Sequence, residues 1–491
     1  MVIFAQIMSM RILLIYHILS QQPQMGCWAR ARRREENFPI PAKLRRAISN
    51  PCGRAAKQHT ILSERGLGMT VNTRYKAEIW DVMQLFFSKF NDHQIHCVIR
   101  LDTRIDKSRL KRAVDLLCDA FPLLKCRLTV EQGIPCWEDA GLNSDSMVFL
   151  KTAKDPDAEL GRLICSRNSE RIGPQLTVFI VRSQNADTLC VIINHMLCDA
   201  AGFKEILYLL CSIYSRLKSD PDFRPPAENA PRGTQQILNE LDWKQRIKIL
   251  FQPYRLSRHD DSIVFDLEGD ESSPFLVTHT IPASRFLAAK TFAKQYGATV
   301  NDVMLAAYLR ALQQYIPGKT TAIQCILDLR KYLPCPHSKR LCNLTSTLVC
   351  DIGPDVGATF GDTLSKVKSA MDAEKQQVRC LHLILLLETV FRILPYSLLK
   401  KVVWKAYRNP PLAMSNIGIL DHRRLVFDQV PAKGAFMSGS IKYKPYFQLA
   451  LSTFRNELTL SVAFHGTQAD QTKIEQFLEA VDRELPVNPG Q

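Results

Sequence analysis

Residues 191–202, with the sequence VIINHMLCDAAG, are the residues of this chain best suited to acid–base chemistry. An apolar run ends at His195, and a carboxylate follows at Asp199. A free imidazole has a pKa of about 6.5, so a neutral histidine held at a strand end is a natural general base near pH 7. We expect His195 to accept the proton of a hydroxyl or amine that attacks a thioester.

The residues after His195 have predicted supporting roles. Asp199 is expected to brace the loop rather than to touch substrate, and the small residues through Gly202 allow close backbone packing. Amide groups at the start of the following helix are candidates for stabilising a developing oxyanion. The same His and Asp spacing also fits a histidine with a purely structural hydrogen bond, so this segment alone leaves both interpretations open.

Five segments in order resemble motifs of the chloramphenicol acetyltransferase-like superfamily, which includes condensation domains, alcohol acetyltransferases, polyketide-associated acyltransferases and wax ester synthases. The segment at His195 resembles the family's His-His-x-x-x-Asp-Gly signature. The other four matches are Phe121-Pro122-Leu123-Leu124, Ala298-Thr299-Val300-Asn301-Asp302-Val303, Asp328-Leu329-Arg330 with Asn343-Leu344, and Ser415-Asn416-Ile417-Gly418. The resemblance covers roughly Met69 to Leu485.

The resemblance implies an α/β fold with two related two-layer lobes and a tunnel between them, with His195 at its centre. It implies that Asp199 pairs with an arginine of the second half, which by motif position is Arg330. Ser415 and Asn416 either line the tunnel or shape a turn, and Asn194 is a further candidate tunnel residue.

Two positions depart from the family signature. Asn194 stands where the first histidine is expected, and Ala200 stands where the glycine after the aspartate is expected. Ala200 would be strained if that position required a positive φ, and Gly202 would then have to relieve the turn. Because the signature's two catalytic residues, His195 and Asp199, are both present, we expect an active enzyme.

Hydrophobic periodicity predicts intermingled strands and helices, as in an α/β layer fold. Strands are predicted at residues 95–101, 123–130, 176–181, 188–193, 275–281, 322–329, 344–352, 447–454 and 457–465. Helices are predicted at residues 78–90, 106–120, 203–217, 283–296, 299–315 and 470–485. The basic amphipathic segment 237–256 is expected either to pack on the lobes or to lie on a bilayer surface, and we favour packing.

The predicted organisation has four parts: a leader (1–68), an N-terminal lobe (69–235), a linker segment (236–270) and a C-terminal lobe (271–491). The leader is expected to be disordered or absent from the natural protein, with Met69 as the start, and a weak membrane anchor is the alternative. It contains 11 Lys or Arg and 3 Asp or Glu, and so carries half of the net charge of +16. The thin surplus over the remaining residues does not indicate a nucleic-acid partner.

The 15 cysteines form no C-x-x-C pair and lie mostly in apolar runs, so we expect free thiols, no metal site and a cytoplasmic protein. The predicted activity is that of a monomeric acyltransferase without a bound cofactor, which uses acyl-CoA as co-substrate and a small-molecule or lipid acceptor. The alternatives are an enzyme that uses an acyl-carrier protein thioester, and a catalytically silent binding module.

Overall fold

The computed structural model describes residues 73–184, 186–228, 231–251, 265–317, 322–333, 341–376, 379–406 and 410–486. The chain divides into two units, Met1–Tyr75 and Lys76–Gln491, and the second contains the elements discussed below except for Arg74 and Tyr75 of the first strand. The predicted leader, Met69 and the end of the basic segment after Phe251 lie outside the described residues.

The strands follow one another along the whole described chain. Their bounds are β1 (Arg74–Lys76), β2 (Gln94–Arg100), β3 (Cys126–Glu131), β4 (Ile134–Asp139), β5 (Val148–Thr152), β6 (Leu176–Arg182), β7 (Asp187–Asn194), β8 (Pro274–Ile281), β9 (Ile323–Asp328), β10 (Thr345–Cys350), β11 (Leu412–Leu420), β12 (Val426–Phe427), β13 (Val430–Pro431), β14 (Gly434–Ser438), β15 (Phe447–Phe454) and β16 (Glu457–His465).

The helices lie between these strands, singly or in runs of two or three. Their bounds are α1 (Ile79–Phe86), α2 (Lys107–Ala120), α3 (Pro156–Ile164), α4 (Ala200–Ser219), α5 (Gln235–Leu238), α6 (Trp243–Phe251), α7 (Ala283–Gln295), α8 (Val300–Tyr315), α9 (Phe360–Gln376), α10 (Arg379–Ile393), α11 (Tyr396–Ala406) and α12 (Gln468–Glu484). Among the described residues, none of these helices is long and apolar enough to span a bilayer.

Two mixed sheets form the framework of the second unit. The first has the strand order β14-β2-β7-β6-β5, and β7 is buried along its whole length. Helix α3 covers one face of this sheet, where Leu160 and Ile164 pack against Val98, Cys190 and Ile192. The burial of this face anchors the strand that ends at the candidate site.

The second sheet has the order β10-β9-β11-β15-β16-β8, in which β11 runs parallel to both of its neighbours. An aromatic cluster packs beneath it, where Phe265, Phe447 and Phe477 lie with ring centroids 4.9–5.7 Å apart. The described part of the chain therefore has an α/β fold with one of these two large sheets in each lobe, in addition to the small sheets β1-β4-β3 and β12-β13.

Strand β14 joins the two halves. It lies late in the sequence but pairs antiparallel with β2 at the edge of the first sheet, with Phe436 opposite Val98. Sequence periodicity gave no sign of this pairing, because a strand's partner is a long-range property. The two lobes are therefore not separated at a single point of the chain.

Local structure differs from the predictions at several elements, and the helices α3, α9, α10 and α11 and the strands β4, β5 and β11 were not predicted. A 3₁₀ turn occupies Pro122–Lys125, and β3 begins only at Cys126, whereas the sequence predicts a strand from Leu123. Pro122 lacks an amide hydrogen and has a fixed φ, which favours a turn at this point. The described part of the basic segment includes helix α6, which packs against the rest of the fold. Its residues Ile249 and Leu250 are buried, and the carbonyl of Ile249 accepts a hydrogen bond from His382 Nδ1 (2.9 Å).

The cysteines of the described ranges are free thiols, and most of them are buried. Burial raises the pKa of several of these thiols, including that of Cys190 to about 12. A buried neutral thiol acts as a small apolar side chain. These residues thus contribute to the core rather than to reactive chemistry.

Candidate active site

His195 lies at the point where β7 leaves the first sheet. Asn194, the last residue of β7, is opposite Gln94 of β2, and the His195 amide donates a hydrogen bond to the carbonyl of His93 just beyond that pair. The histidine is therefore fixed by the end of a strand whose own residues are all buried. The next residues turn directly into α4.

The imidazole of His195 has a defined tautomer. Its Nδ1 lies 3.0 Å from the carbonyl oxygen of Cys198, and because a carbonyl can only accept, Nδ1 must carry the proton. Nε2 then holds the free lone pair, and no described residue forms a hydrogen bond with it. The ring is half-buried, and burial lowers the pKa of His195 below the ordinary imidazole value. Neutral at pH 7, this ring has the properties of a general base.

Asp199 caps α4 and does not orient the imidazole. Its Oδ1 accepts a hydrogen bond from the Gly202 amide (2.9 Å), and its Oδ2 accepts one from the Leu344 amide (2.8 Å). The side chain is buried at 2% exposure, and its role is to hold the loop and the helix start together. The Gly202 amide is thereby occupied, so it is not free to stabilise an oxyanion.

Arg330 forms a buried ion pair with Asp199. Its Nη1 lies 2.8 Å from Asp199 Oδ2 and 3.2 Å from Asp328 Oδ1, and its Nη2 donates to the carbonyl of Cys342 (3.2 Å). Burial by itself raises the pKa of Asp199, but the guanidinium and the hydrogen bonds outweigh it and hold that pKa below its usual value. This ion pair ties the His195 loop of the first sheet to the end of β9 in the second.

Asn343 and Arg232 support the same loop. The Asn343 amide donates to the carbonyls of His195 (2.8 Å) and Met196 (2.9 Å). Arg232 donates to the carbonyl of Leu197 (3.1 Å), and a buried ion pair with Asp81 (3.0 Å) holds its guanidinium. Sequence analysis assigned neither residue a role. The Asn343-Leu344 motif match was the only signal that pointed to one of them.

The side chain of Asn194 stabilises the end of β7 and the turn that follows it. Its Nδ2 donates to Gln175 Oε1 (2.7 Å), its Oδ1 accepts from the Met196 amide (2.9 Å), and the side chain is 5% exposed. An asparagine thus keeps the backbone on both sides of His195 in place where the family signature has a histidine.

Ala200 is the first residue of α4 and does not require a positive φ. The backbone strain considered for this position is therefore absent, and Gly202 serves as the amide donor to the helix cap rather than as a relief for the turn.

Ser415 and Asn416 lie on β11 in the second sheet. Ser415 is half-buried, and Asn416 is exposed with its Oδ1 accepting from the Gly418 amide (3.0 Å). The pairing of β11 with β15 shifts register between Asn416 and Gly418. Asn416 therefore shapes a β-bulge, and Gly418 at the bulge has a φ of +80° that glycine adopts without strain.

A half-buried lysine and a buried carboxyl lie near the His195 loop. Lys442 Nζ donates to Asn91 Oδ1 (3.1 Å), and Asp92 Oδ1 accepts the amide of Ile441 (3.1 Å). Burial lowers the pKa of Lys442 to about 8 and raises that of Asp92 to about 6. The charge of Lys442 acts together with burial to lower the pKa of His195.

The fold has many solved counterparts at low sequence identity. The first condensation domain of the calcium-dependent antibiotic synthetase, in complex with a substrate analogue, is 12% identical, with a TM-score of 0.63 over 86% of this chain and 98% of that domain. TRI3 trichothecene 15-O-acetyltransferase from Fusarium sporotrichioides is 12% identical, with a TM-score of 0.60 over 84% and 94% of the two chains. Polyketide synthase associated protein 5 from Mycobacterium tuberculosis is 14% identical, with a TM-score of 0.57 over 85% and 98%.

The described chain therefore has the chloramphenicol acetyltransferase-like fold. The similarity spans nearly the full length of each counterpart, so the chloramphenicol acetyltransferase-like fold accounts for both sheets and not for one lobe alone. No family model matches the chain, and no curated protein sequence matches it. The resemblance predicted from the five motifs is confirmed at the level of fold.

Proposed function

We propose that this protein is an acyltransferase that moves an acyl group from a thioester to a hydroxyl or amine. Acyl-CoA is the proposed donor, and a small molecule or a lipid is the proposed acceptor. The acyl donor and the acceptor meet at His195 in a tunnel between the two lobes. The fold supports this proposal, since the solved counterparts include an acetyltransferase and a condensation domain.

The proposed reaction uses one proton-transfer group. His195 Nε2 takes the proton from the acceptor as its oxygen or nitrogen attacks the thioester carbonyl, which forms a tetrahedral oxyanion. The oxyanion collapses, the C–S bond breaks, and the thiolate takes the proton back from the imidazolium. The products are the acylated acceptor and the free thiol. The histidine returns to its starting state, and the balance requires no bound cofactor or metal.

The observation that carries the proposal is the hydrogen bond between His195 Nδ1 and the Cys198 carbonyl (3.0 Å). It fixes the tautomer in which Nε2 is the base, and the lowered pKa keeps that atom unprotonated at pH 7. Asp199 and Arg330 act as positioning residues, because they hold the loop through buried bonds and do not contact the ring.

The decisive experiment replaces the base and keeps the loop. His195→Ala is expected to lower the turnover of acyl transfer by about 10²- to 10⁴-fold with an unchanged melting temperature. His279→Ala is the matched control, because His279 contacts Asp482 on α12 (2.8 Å) and lies away from the site. Wild-type protein is supplied with a panel of acyl-CoAs and, separately, acyl-carrier proteins, with alcohols and amines as acceptors, and products are detected by mass.

Each outcome has a defined meaning. Transfer that survives in His195→Ala contradicts the role of the histidine, and transfer from the carrier protein alone contradicts the CoA donor. If wild-type protein acylates no acceptor with either donor, the chain is a binding module and the proposal fails.

A further inference from the structure

A basic pocket of about 530 Å³ lies beside α4, at the contact between the two lobes. One wall comes from α4 of the first lobe, and the opposite wall comes from the end of β11 and the β15–β16 turn of the second lobe. Its volume suits a drug-sized ligand. The lining residues with charged side chains are Lys204, Glu205, Asp421, Arg423, Arg424 and Arg455.

The pocket carries a surplus of positive charge. Four of the six charged lining residues are cations and two are carboxylates, which gives a net charge of +2 (4 − 2) from the Lys, Arg, Asp and Glu side chains. Arg424 is committed to Glu205 in a bidentate pair (2.8 Å for both bonds) and stacks on Tyr208. The two parallel hydrogen bonds of this pair restrain the Arg424 guanidinium within the pocket lining.

Two further arginines remain available at the rim. Within the described ranges, the side chain of Arg423 forms a hydrogen bond only with its neighbour Asp421, through Nε (3.2 Å), and it is 80% exposed. Arg455 has no carboxylate within 4 Å among the described residues, although its guanidinium stacks at 5.6 Å on Phe454. Two guanidinium groups with free donors are typical of a site for an anion with several oxygens, such as a phosphate.

Arg455 lies in a turn and has an unfavourable backbone conformation. Arg455 and Asn456 form the two-residue turn between β15 and β16, with φ values of +47° and +67°. Such turns favour Asn, Asp or Gly, because a longer L side chain is strained at positive φ. Strain of this kind is often found at functional sites, where a side chain must point in a required direction.

Lys204 lines this pocket and lies on the helix that begins at the candidate active site. Its Nζ donates to the carbonyls of Ile417 (2.8 Å) and Ile419 (3.3 Å), which fixes the β11 bulge against α4. Lys204 and Tyr208 are five and nine residues beyond Asp199, so the pocket begins roughly 8 Å and extends to roughly 14 Å along the helix axis from the cap. A linear ligand arm can bridge that separation.

We propose that this pocket binds the phosphorylated nucleotide end of a CoA thioester whose acyl group lies at His195. The inference rests on the proposed function and specifies its donor: the phosphates contact Arg423 and Arg455, and exposed Ile419 offers an apolar surface to the adenine ring. A carrier-protein donor has one phosphodiester and no nucleotide, so it makes fewer of these contacts.

The test uses the full chain and variants that preserve the fold. Arg455→Asn removes the charge and places a turn-compatible residue at positive φ, and Arg423→Gln removes the charge at an exposed site. Arg216→Gln is the matched control, because Arg216 lies on α4 but stacks on Phe223 (4.7 Å) outside the pocket. The probes are adenosine 3′,5′-bisphosphate and inorganic phosphate for binding, and acyl-CoA and acyl-pantetheine as donors.

The expected result is selective for the phosphates of the donor. Each of the two variants weakens bisphosphate binding and raises the KM for acyl-CoA by about tenfold, with kcat unchanged. The KM for acyl-pantetheine, which has no phosphate, stays the same, and Arg216→Gln behaves as wild type. Bisphosphate affinity falls as salt is added, as expected for exposed charges.

Three outcomes overturn the inference. Bisphosphate binding that is equal in the variants and wild type shows that the arginines are not the site. Inorganic phosphate that binds as tightly as the bisphosphate assigns the pocket to a free anion instead of the nucleotide. An unchanged KM for acyl-CoA removes the donor role. If wild type binds the bisphosphate through these arginines but transfers no acyl group, the proposed function fails, and the assignment of the pocket as a nucleotide-binding site stands.

Discussion

His195 receives its orientation from a backbone carbonyl, not from a side-chain carboxylate. Nδ1 donates to Cys198, whereas the nearby carboxylate of Asp199 is used by two backbone amides and Arg330. The ring therefore depends on the shape of its loop, and the charge on Asp199 acts on the histidine only at a distance. The acid–base role proposed for His195 and the structural role of Asp199 thus fall on different residues.

The first prediction at this scale concerns the pH dependence of transfer. Burial and the charge of Lys442 lower the pKa of His195, so the imidazole remains neutral at mildly acidic pH. The acid limb of the kcat/KM profile should therefore inflect below about pH 6.5. Lys442→Gln removes a positive charge and should move the inflection upward. Lys433→Gln, at a 70% exposed lysine, should not move it. Profiles that coincide in all three proteins would refute the argument.

The second prediction concerns the free energy of unfolding. Arg330→Met leaves Asp199 buried without its counter-ion and should destabilise the protein by about 3–5 kcal/mol in urea titrations at pH 7. Arg100→Met breaks an ion pair of similar length (2.7 Å) whose side chains are 41% and 70% exposed, and should cost less than about 1 kcal/mol.

The effect of Arg330→Met has a defined pH window. The pKa of Asp199 is lowered in the folded state, so the stabilisation is complete above about pH 4 and is lost as the pH falls through the folded pKa. Equal costs for the two arginines at pH 7 would contradict a buried pair.

At the level of elements, α4 connects the His195 loop to the second lobe. Its first turn is capped by Asp199, and one turn later Lys204 holds the β11 bulge through two carbonyls. The residues that precede β10 reach the same loop, since Asn343 donates to the His195 and Met196 carbonyls. The loop is therefore restrained from the second lobe at both of its ends.

The prediction at this scale tests the bulge. Gly418→Ala places a Cβ at a φ of +80° and should destabilise the protein by about 1–2 kcal/mol. Gly161→Ala lies inside α3 with no atom within 4 Å of the added Cβ, and should stabilise by about 0.5–1 kcal/mol. Thermal and urea unfolding measure both. Shifts of the same sign would show that the backbone conformation at Gly418 is not the cause.

At the level of the whole molecule, the two lobes share a strand and a loop. Strand β14 completes the edge of the first sheet next to β2, although it belongs to the second half of the sequence. The Asp199–Arg330 pair joins the lobes at the candidate site, and Lys204 joins them beside it. Folding of one half is therefore coupled to that of the other.

The prediction at this scale is that neither half folds alone. A fragment ending at Asp270 lacks β14 and leaves β2 with an unpaired edge, so it should show no cooperative unfolding and should aggregate. Co-expression with the fragment that starts at Glu271 should restore a soluble complex with a single transition. A soluble N-terminal fragment with cooperative unfolding of its own would contradict this coupling.

The sequence by itself determined the course of the chain through the site. The apolar run of β7, the histidine at its end and the amphipathic stripe of α4 are local patterns, and local patterns reflect local hydrogen bonding and one-sided burial. Motif order also indicated which arginine to expect, and the structure places Arg330 2.8 Å from Asp199.

Only the tertiary structure decided which distant groups complete the site. The insertion of β14 beside β2, the contacts of Arg232 and Asn343 with the loop, and the basic pocket beside α4 all join residues far apart in sequence. Such contacts depend on how the two lobes pack, and no periodicity within one segment encodes its partner.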